Sequence, residues 1–191
     1  LGLLCLFSPD DERNAALVEK LQSNGFEYQP YLISYDQVLV SKKSELATKR
    51  ALSRADILSR PIVSSDGDIK RVAEKVFGKN AIYMVTSDSA FRFRVVANDE
   101  AITFVPAFHK LVDSSDDATV AVQMKEPYYL EVGFAAKKEV LDSPYIKSLI
   151  AKLNAYYSRL AASPYLSLVP SDITSFKQAE DEGAGFDEKG L

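Results

Sequence analysis

Hydrophobic and polar residues follow one another along this chain in patterns that predict short strands and amphipathic helices. Residues 3–7 form a continuous apolar run of the length of a buried strand. A Ser-Pro-Asp-Asp segment follows, and because Ser caps helices and Pro fits the first helical turn, it predicts a helix over residues 9–24. Asn24 and Gly25 then supply the left-handed stop that commonly ends a helix.

The next segment predicts two strands, a turn and a second helix. Residues 28–34 are aromatic and β-branched, and Pro30 within them indicates an edge strand or a bulge. Ser34-Tyr35-Asp36 is predicted to be a turn, and residues 37–41 the returning strand. Helical spacing of apolar residues predicts the second helix over residues 44–58.

Residues 61–67 contain Pro, Ser, Asp and Gly, and are typical of an exposed linker between two modules. Beyond them the pattern predicts a helix at residues 69–77 and a strand at 81–85. Residues 91–95 alternate strictly, which predicts a strand with its aromatic rings toward a core and its arginines on the other face. This strand is expected to pair with residues 101–105.

The last part of the chain predicts another strand pair, the longest helix and a tail. Residues 118–124 and 128–134 are expected to pair as neighbouring antiparallel strands. The longest helix begins at Ser143-Pro144, and residues 165–169 form a final strand. Residues 178–191 are acidic and contain few apolar residues, so they predict a flexible, solvated tail.

Together these elements predict an α+β fold with mainly antiparallel sheets, helices packed on one face and two small modules. The first module is residues 1–60, in the order strand-helix-strand-strand-helix, and the second is residues 68–177. A chain of 191 residues is long enough to bury a core without help from a disulfide or a structural metal.

The first module resembles the ring-building modules of the flagellar MS-ring protein and of type III secretion inner-ring lipoproteins. Leu6-Phe7-Ser8 stands where those modules carry a Leu-Tyr-Ser-like triplet. Gly25-Phe26 matches their Gly-Ile-like turn, and Val38-Leu39-Val40-Ser41 matches the strand before their closing helix. The resemblance implies a non-enzymatic scaffold of a bacterial envelope or basal-body complex, which contacts protein partners or copies of itself.

Composition limits the other functions that can be considered. The net charge of −4 disfavours binding to nucleic acid, because such binding neutralises phosphates with Lys and Arg, and no nucleic-acid partner is expected. No apolar stretch reaches the roughly 18 residues of a membrane span, so membrane association would need sequence outside this chain. An envelope-associated or periplasmic location is favoured over a cytoplasmic one, as the resemblance implies.

The sequence contains no motif for catalysis, for a cofactor or for a metal. Cys5 lies on the first apolar run and is interpreted as a small core residue rather than a reactive thiol. His109 is the single histidine, and no second ligand stands at metal-site spacing from it. We therefore expect no enzyme activity, no catalytic residues and no cofactor.

Four residues are the candidates for binding a partner or an anion. Arg92 and Arg94 would lie on the polar face of one strand, where they could hold an anion or an acidic surface, although a solvated face is the alternative. Tyr128 and Tyr129 would place one ring inward and one outward, and outward tyrosines are enriched in interfaces. These residues support a second hypothesis, a small-ligand or protein-binding domain of an envelope protein.

Overall fold

The structure is a computed structural model that describes residues 1–8, 11–109, 117–160 and 166–168. The strands are β1 (Gly2–Phe7), β2 (Glu27–Ser41), β3 (Ala51–Leu52), β4 (Ile62–Ser64), β5 (Ile82–Val85), β6 (Thr103–Pro106), β7 (Thr119–Met124), β8 (Tyr129–Ala136) and β9 (Leu166–Leu168). The helices are α1 (Asp11–Ser23), α2 (Arg54–Leu58), α3 (Asp68–Phe77), α4 (Ser89–Ala97), α5 (Lys138–Leu141) and α6 (Pro144–Leu160). The predicted tail at residues 178–191 lies outside the described residues.

The chain divides into two compact units, and the first of them is discontinuous. Unit 1 comprises residues 1–35 together with 129–191, and unit 2 comprises residues 36–128. These units do not coincide with the predicted modules, 1–60 and 68–177, because the first strand pairs with β8, which follows the whole of unit 2 in the sequence. The predicted linker at 61–67 is wrong in its first half, where β4 is a buried strand with Ile62 and Val63 both 0% exposed.

Unit 1 is built on an antiparallel sheet in which β8 lies between β1 and the first part of β2. On its other side, this part of β2 pairs with β9. The register of β2 against β8 shifts between Pro30 and Leu32, so the bulge predicted at Pro30 is confirmed. β8 does not pair with β7, and the predicted neighbouring strand pair is therefore wrong.

One face of this sheet is covered by aromatic side chains. The Tyr31 ring lies 5.2 Å from Phe134 of β8 and 6.0 Å from Tyr157 of α6, which ties that helix to the sheet. Elsewhere in the unit, Tyr28 donates a hydrogen bond of 2.8 Å to the buried carboxylate of Glu131. Burial and the charge of Glu131 raise the pKa of Tyr28, so its hydroxyl remains a neutral donor.

Unit 2 contains a mixed sheet in the order β5-β4-β6-β2-β7-β3. β6 and β7 are both antiparallel to the second part of β2, and β3 is parallel to β7. β4 is parallel to β5 and joins β6 through a parallel bridge between Ile62 and Ile102. Five strands therefore run in one direction and only the segment of β2 runs in the other.

Helices α3 and α4 pack on opposite faces of this sheet, because they contact residues that alternate along its strands. Phe77 of α3 stacks on Phe104 of β6 at 5.0 Å. Val96 of α4 belongs to a cluster with Leu39 and Val105, which occupy the other alternating positions of β2 and β6. Helices consequently cover both faces of the sheet in unit 2.

Residues 34–36 are not the predicted turn, because β2 continues through them as one strand of 15 residues. Tyr35 still pairs with Tyr129 of β8, and Asp36 already pairs with Pro106 of β6. The residue types are common in turns, but the segment lacks Gly, and each half of the strand finds its own partners. Residues 3–58 therefore do not form the sheet that a ring-building module requires.

Two further predictions of local structure are wrong. The helix expected at 44–58 is divided into a 3-10 turn at Glu45–Thr48, strand β3 and helix α2, because Ser53 and Asp56 form a capping box that starts a new helix. Residues 91–95 lie in helix α4 instead of a strand. Asp88 caps this helix by accepting a 3.0 Å hydrogen bond from the Phe91 N–H, and Val96 near the end of the helix is buried.

The predicted α+β fold class is confirmed. Antiparallel pairs dominate unit 1, and both units combine strands with packed helices. The predicted helices at 9–24 and 69–77 are present as α1 and α3, with Gly25 in the left-handed conformation that ends α1. Among the described residues, no helix is long and apolar enough to cross a membrane.

Gly133 of β8 is predicted to be intolerant of a side chain. A Cβ atom built there would lie 2.3 Å from the ring of Tyr28, so Gly133→Ala should displace that ring and weaken its hydrogen bond to Glu131. We expect a loss of about 1–3 kcal/mol in the free energy of unfolding, measured with urea.

Gly2→Ala is the matched control, because a Cβ at Gly2 meets only the Ala135 carbonyl oxygen at 3.7 Å. In a chain that already carries Tyr28→Ala, the ring is absent, and Gly133→Ala should then cause a smaller loss in the free energy of unfolding. Equal losses with and without the ring would refute this explanation.

Candidate functional site

The carboxyl ends of five strands meet at one edge of the unit 2 sheet. Strands β3, β4, β5, β6 and β7 run in the same direction, and helices α2, α3 and α4 begin directly after β3, β4 and β5. In sheets of this kind, ligands bind outside the carboxyl ends of the strands. We call this edge, with residues 64–66, 86–88, Arg92, Asp36 and Tyr128, the polar edge.

Hydroxyl and carboxylate groups follow β4 and β5 at this edge. The Ser64 hydroxyl donates to the Ser65 carbonyl at 3.0 Å, whereas the Ser65 hydroxyl oxygen is buried without a hydrogen-bond partner among the described residues. Thr86 accepts from the Asp88 N–H at 3.1 Å, and Asp88 in turn caps α4. The N–H groups of two helix starts are thereby oriented toward the same edge.

Asp36 and Tyr128 form a buried polar pair at the polar edge. Asp36 is 4% exposed and Tyr128 is 6% exposed. The Asp36 N–H donates to the Tyr128 carbonyl oxygen at 3.0 Å. Their side chains are less well matched, since neither Oδ1 of Asp36 nor the Tyr128 hydroxyl has a partner with hydrogen-bond geometry in the described part of the chain.

Burial controls the titration of both groups. Desolvation raises the pKa of Asp36 from 3.8 to about 7, and the nearby Tyr128 hydroxyl offsets only part of this rise. Burial and the adjacent carboxylate raise the pKa of Tyr128 as well. The pair therefore contains one acid that changes its charge near neutral pH and one phenol that stays protonated.

The structure separates Arg92 and Arg94, which the sequence predicted on one strand face. Both lie on helix α4, and residues two positions apart point to nearly opposite sides of a helix. Arg92 is half-buried in the first turn, its guanidinium lies 5.1 Å from the Phe93 ring, and its Nε has no partner among the described residues. Arg94 is exposed, and its guanidinium lies 5.9 Å from the Phe91 ring.

Tyr128 and Tyr129 belong to different units. Tyr128 ends unit 2, where its ring lies 6.1 Å from Phe104. Tyr129 starts β8 in unit 1, with its ring 6.1 Å from Tyr35 and its N–H bonded to the Ser8 hydroxyl at 3.0 Å. Of the four predicted residues, Arg92 and Tyr128 lie at the polar edge.

Cys5 and His109 differ from each other in their surroundings. Cys5 is exposed, so its interpretation as a core residue is wrong: β1 lies at the margin of its sheet and leaves that side chain uncovered. His109 packs its ring 4.9 Å from Phe93. In the described part of the chain, no group of three or more His, Cys, Asp or Glu side chains could hold a metal ion.

Unit 1 contains an open groove of about 580 Å³ between the start of β2 and helices α5 and α6. Its lining combines Tyr28, Leu141 and Ile150 with charged groups. Two of those groups, Lys147 and Asp142, already pair with each other at 3.2 Å. Among the described residues that line the groove, none has a buried side-chain polar atom without a hydrogen-bond partner, and the groove differs in this from the polar edge.

Sequence reasoning missed Asp36, Ser65 and Thr86. Asp36 was placed in a turn, although a lone acidic residue inside a long apolar segment without Gly is a signal for a buried carboxylate. Ser65 was treated as part of the linker, and Thr86 was not singled out. Their common position after a strand and before a helix could have identified them.

No family model and no curated protein matches this sequence. Solved structures do match the fold. The regulatory domain of MetR, a LysR-family regulator from N. meningitidis, has a TM-score of 0.55 at 15% identity and covers 77% of this chain and 72% of its own. Reduced OxyR from N. meningitidis has a TM-score of 0.59 at 16% identity and covers 89% of this chain and 75% of its own.

A third match is a Pseudomonas aeruginosa protein described as a LysR-family transcriptional regulator. Its TM-score is 0.58 at 14% identity, and the alignment covers 75% of this chain and 58% of that protein. At these identities the likeness establishes the fold alone. The matched MetR structure is described as the regulatory domain of a regulator.

These matches overturn the reading based on ring-building modules. The resemblance to flagellar and secretion rings, the envelope scaffold function and the preference for an envelope or periplasmic location were wrong, because the structures that share the fold are transcription regulators. The exclusion of nucleic acid from the partners is contradicted for the same reason, because a matched structure is described as a transcriptional regulator. Helical and strand order alone recurs in many folds and could not distinguish them.

The buried Asp36 predicts that stability depends on pH. The pKa of Asp36 in the folded chain lies above its ordinary value of 3.8, so its contribution is complete below about pH 4 and is lost as the pH rises through about 7. The free energy of unfolding should fall by a few kcal/mol across this range, measured by urea titration at several pH values.

Asp36→Asn should flatten this part of the pH profile, because the amide keeps the shape of the carboxyl but does not ionise. Asp117→Asn, at an exposed position of the same unit, is the control and should leave the slope unchanged. A slope that survives in Asp36→Asn would assign the effect to another group.

Proposed function

We propose that this chain is a small-ligand-sensing regulatory domain of a transcription regulator, with its ligand at the polar edge of unit 2. The observation that carries the proposal is the fold it has in common with the regulatory domain of MetR. A sensing domain needs no catalytic group, which fits a chain without a motif for catalysis. It needs a site whose polar groups become satisfied only when a ligand is bound.

The polar edge supplies such groups. The Ser65 hydroxyl and the Arg92 Nε are buried without a partner among the described residues, and each leaves hydrogen-bonding capacity unused. Two helices of nine or ten residues begin there, and the partial positive charge of a helix start favours an anion. A ligand that accepts hydrogen bonds would satisfy these groups together.

Arg92 indicates the charge of the ligand. It lies in the first turn of α4, and burial lowers the pKa of its guanidinium, which means that the site would favour a negative group beside it. Arg can bind a carboxylate or a phosphate through two parallel hydrogen bonds. We therefore propose a small organic anion as the ligand, with Arg92 as its charged contact.

DNA binding belongs to the proposal only for a whole regulator. The chain has a net charge of −4, and an acidic domain does not itself gain from contact with phosphates. Other parts of such a regulator would hold the DNA, and this domain would report the ligand to them. Such a regulator would act in the compartment that contains the DNA.

Arg92 and Arg94 provide the test. The chain is screened by thermal unfolding against a panel of small carboxylates and phosphorylated metabolites, since a ligand of the folded state raises the melting temperature. Arg92→Gln should weaken the binding of any stabilising anion by about 10- to 100-fold, because one charge-assisted hydrogen bond is lost. Affinity is then measured by calorimetry.

Arg94→Gln is the matched control, with the same change of charge on the same helix at an exposed position. It should keep the affinity of the unchanged chain within about twofold, as expected of a screened surface charge. Equal losses in both variants, or no stabilising anion in the panel, would contradict the proposed site.

A further inference from the structure

A carboxyl and a guanidinium lie at the polar edge without pairing with each other. Asp36 is a buried carboxyl at the start of the unit 2 segment of β2, and Arg92 is a half-buried guanidinium in the first turn of α4. Oδ1 of Asp36 and Nε of Arg92 are buried, and neither has a partner among the described residues. Buried charged groups are normally paired, because an unpaired one costs free energy. A ligand with a positive and a negative group would satisfy both.

The sheet itself keeps these two groups apart. Asp36 and Val38 are two positions apart in β2, so their side chains lie on the same face. Val38 pairs with Phe104, whose ring stacks on Phe77 of α3. Asp36 therefore lies on the face that α3 covers, whereas Arg92 belongs to α4, which packs on the opposite face. A molecule that contacts both groups has to cross the carboxyl ends of the strands.

Tyr128 supplies a second hydrogen-bond acceptor beside Asp36. Its ring lies 6.1 Å from Phe104, on the same face as the carboxyl, and its hydroxyl is buried without a partner in the described part of the chain. A hydrogen bond from this hydroxyl favours the ionised form of Asp36. A phenol that donates its single O–H to a carboxylate can still accept a hydrogen bond through its oxygen. The two side chains therefore offer neighbouring acceptors to an incoming donor.

The strands beside Asp36 supply no cation for these acceptors. Their segments contain only uncharged residues, at 37–41 of β2, 103–106 of β6 and 119–124 of β7. Lys125, in the loop before Tyr128, is exposed, and Lys70 of α3 pairs with Glu74 at 3.3 Å. A protonated amine has three N–H donors and one positive charge. It can therefore satisfy both acceptors and balance the carboxylate.

We propose that the ligand of the polar edge is an amino carboxylate, whose carboxylate binds Arg92 and whose protonated amine binds Asp36 and Tyr128. The amine donates hydrogen bonds to Oδ1 of Asp36 and to the hydroxyl oxygen of Tyr128, and the Tyr128 hydroxyl donates to the carboxylate of Asp36. This assignment rests on the function proposed above, and it adds the second charged group of the ligand.

The test compares carboxylates with and without an amine. Calorimetry gives the affinities of the 191-residue chain for butyrate, 2-aminobutyrate and 4-aminobutyrate, and for 4-methylpentanoate and leucine. At least one amino carboxylate should bind about 10- to 100-fold more tightly than its amine-free counterpart, because its amine gains a charged hydrogen bond. This ratio of affinities is measured on the unchanged chain and does not depend on any variant.

Variants then locate the amine. Asp36→Asn should reduce the ratio to about one, because the amide has no charge to offer the amine. Arg92→Gln should weaken the binding of both members of a pair and keep their ratio. Asp117→Asn, at an exposed position of the same unit, is the control and should leave the ratio unchanged.

Tyr128→Phe is a milder variant, which keeps the ring beside Phe104 and removes one acceptor. It should lower the ratio by about threefold, as expected for one neutral hydrogen bond. If Asp36→Asn binds neither member of a pair, this variant decides, and an unchanged ratio would overturn the assignment.

The outcomes distinguish this assignment from the function on which it rests. A carboxylate that binds through Arg92 without any gain from an amine would overturn the assignment and leave the proposed function standing. A preference for the amine that survives in Asp36→Asn would overturn it as well, because the amine would then be held elsewhere. Failure of every carboxylate and amino carboxylate to bind would overturn both.

Discussion

Both units depend on strand β2, which is one extended segment from Glu27 to Ser41. Its first part is paired with β8 and β9, and its second part with β6 and β7, so that two sheets use one extended backbone. Extended conformation therefore has to persist through Tyr35 and Asp36, where the partners change. This requirement explains why residues 34–36 are part of a strand although their types are common in turns. It also explains why the Asp36 side chain is buried.

The polar edge follows from the same strand. Because the β2 segment of unit 2 runs against its neighbours, its first residue stands among the carboxyl ends of the other strands. Helix starts, hydroxyl groups and Arg92 collect there because each helix follows the strand before it with a short connection. Asp36 lies at this edge because β2 runs antiparallel to its neighbours, and its burial raises the pKa of its carboxyl.

Local patterns predicted those elements whose own sequence determines them. Periodicity and capping predicted helices α1 and α3, and the missing N–H of Pro30 predicted the bulge. The order of these elements predicted the α+β class. Residues 91–95 were missed because five alternating residues fit a strand and a helix equally well, and the deciding contact is the cap from Asp88. Strand partners were missed because β1 pairs with β8, more than a hundred residues away, and no local signal encodes that distance. Arg92 was proposed as a candidate on the polar face of a strand that the structure replaces with helix α4, and Asp36 was not proposed because its burial depends on strands distant in sequence.

The insertion of unit 2 within unit 1 has a consequence for biosynthesis. Residues 36–128 are continuous, so unit 2 is complete in sequence once Tyr128 has left the ribosome. Strand β1 is made before unit 2 but cannot pair with β8 until β8 emerges. Until then its side chains, including Leu3 and Cys5, lack the neighbouring strand. Unpaired apolar strands are prone to association with other chains. The order of synthesis thus leaves β1 without its partner strand for the whole time in which unit 2 is made.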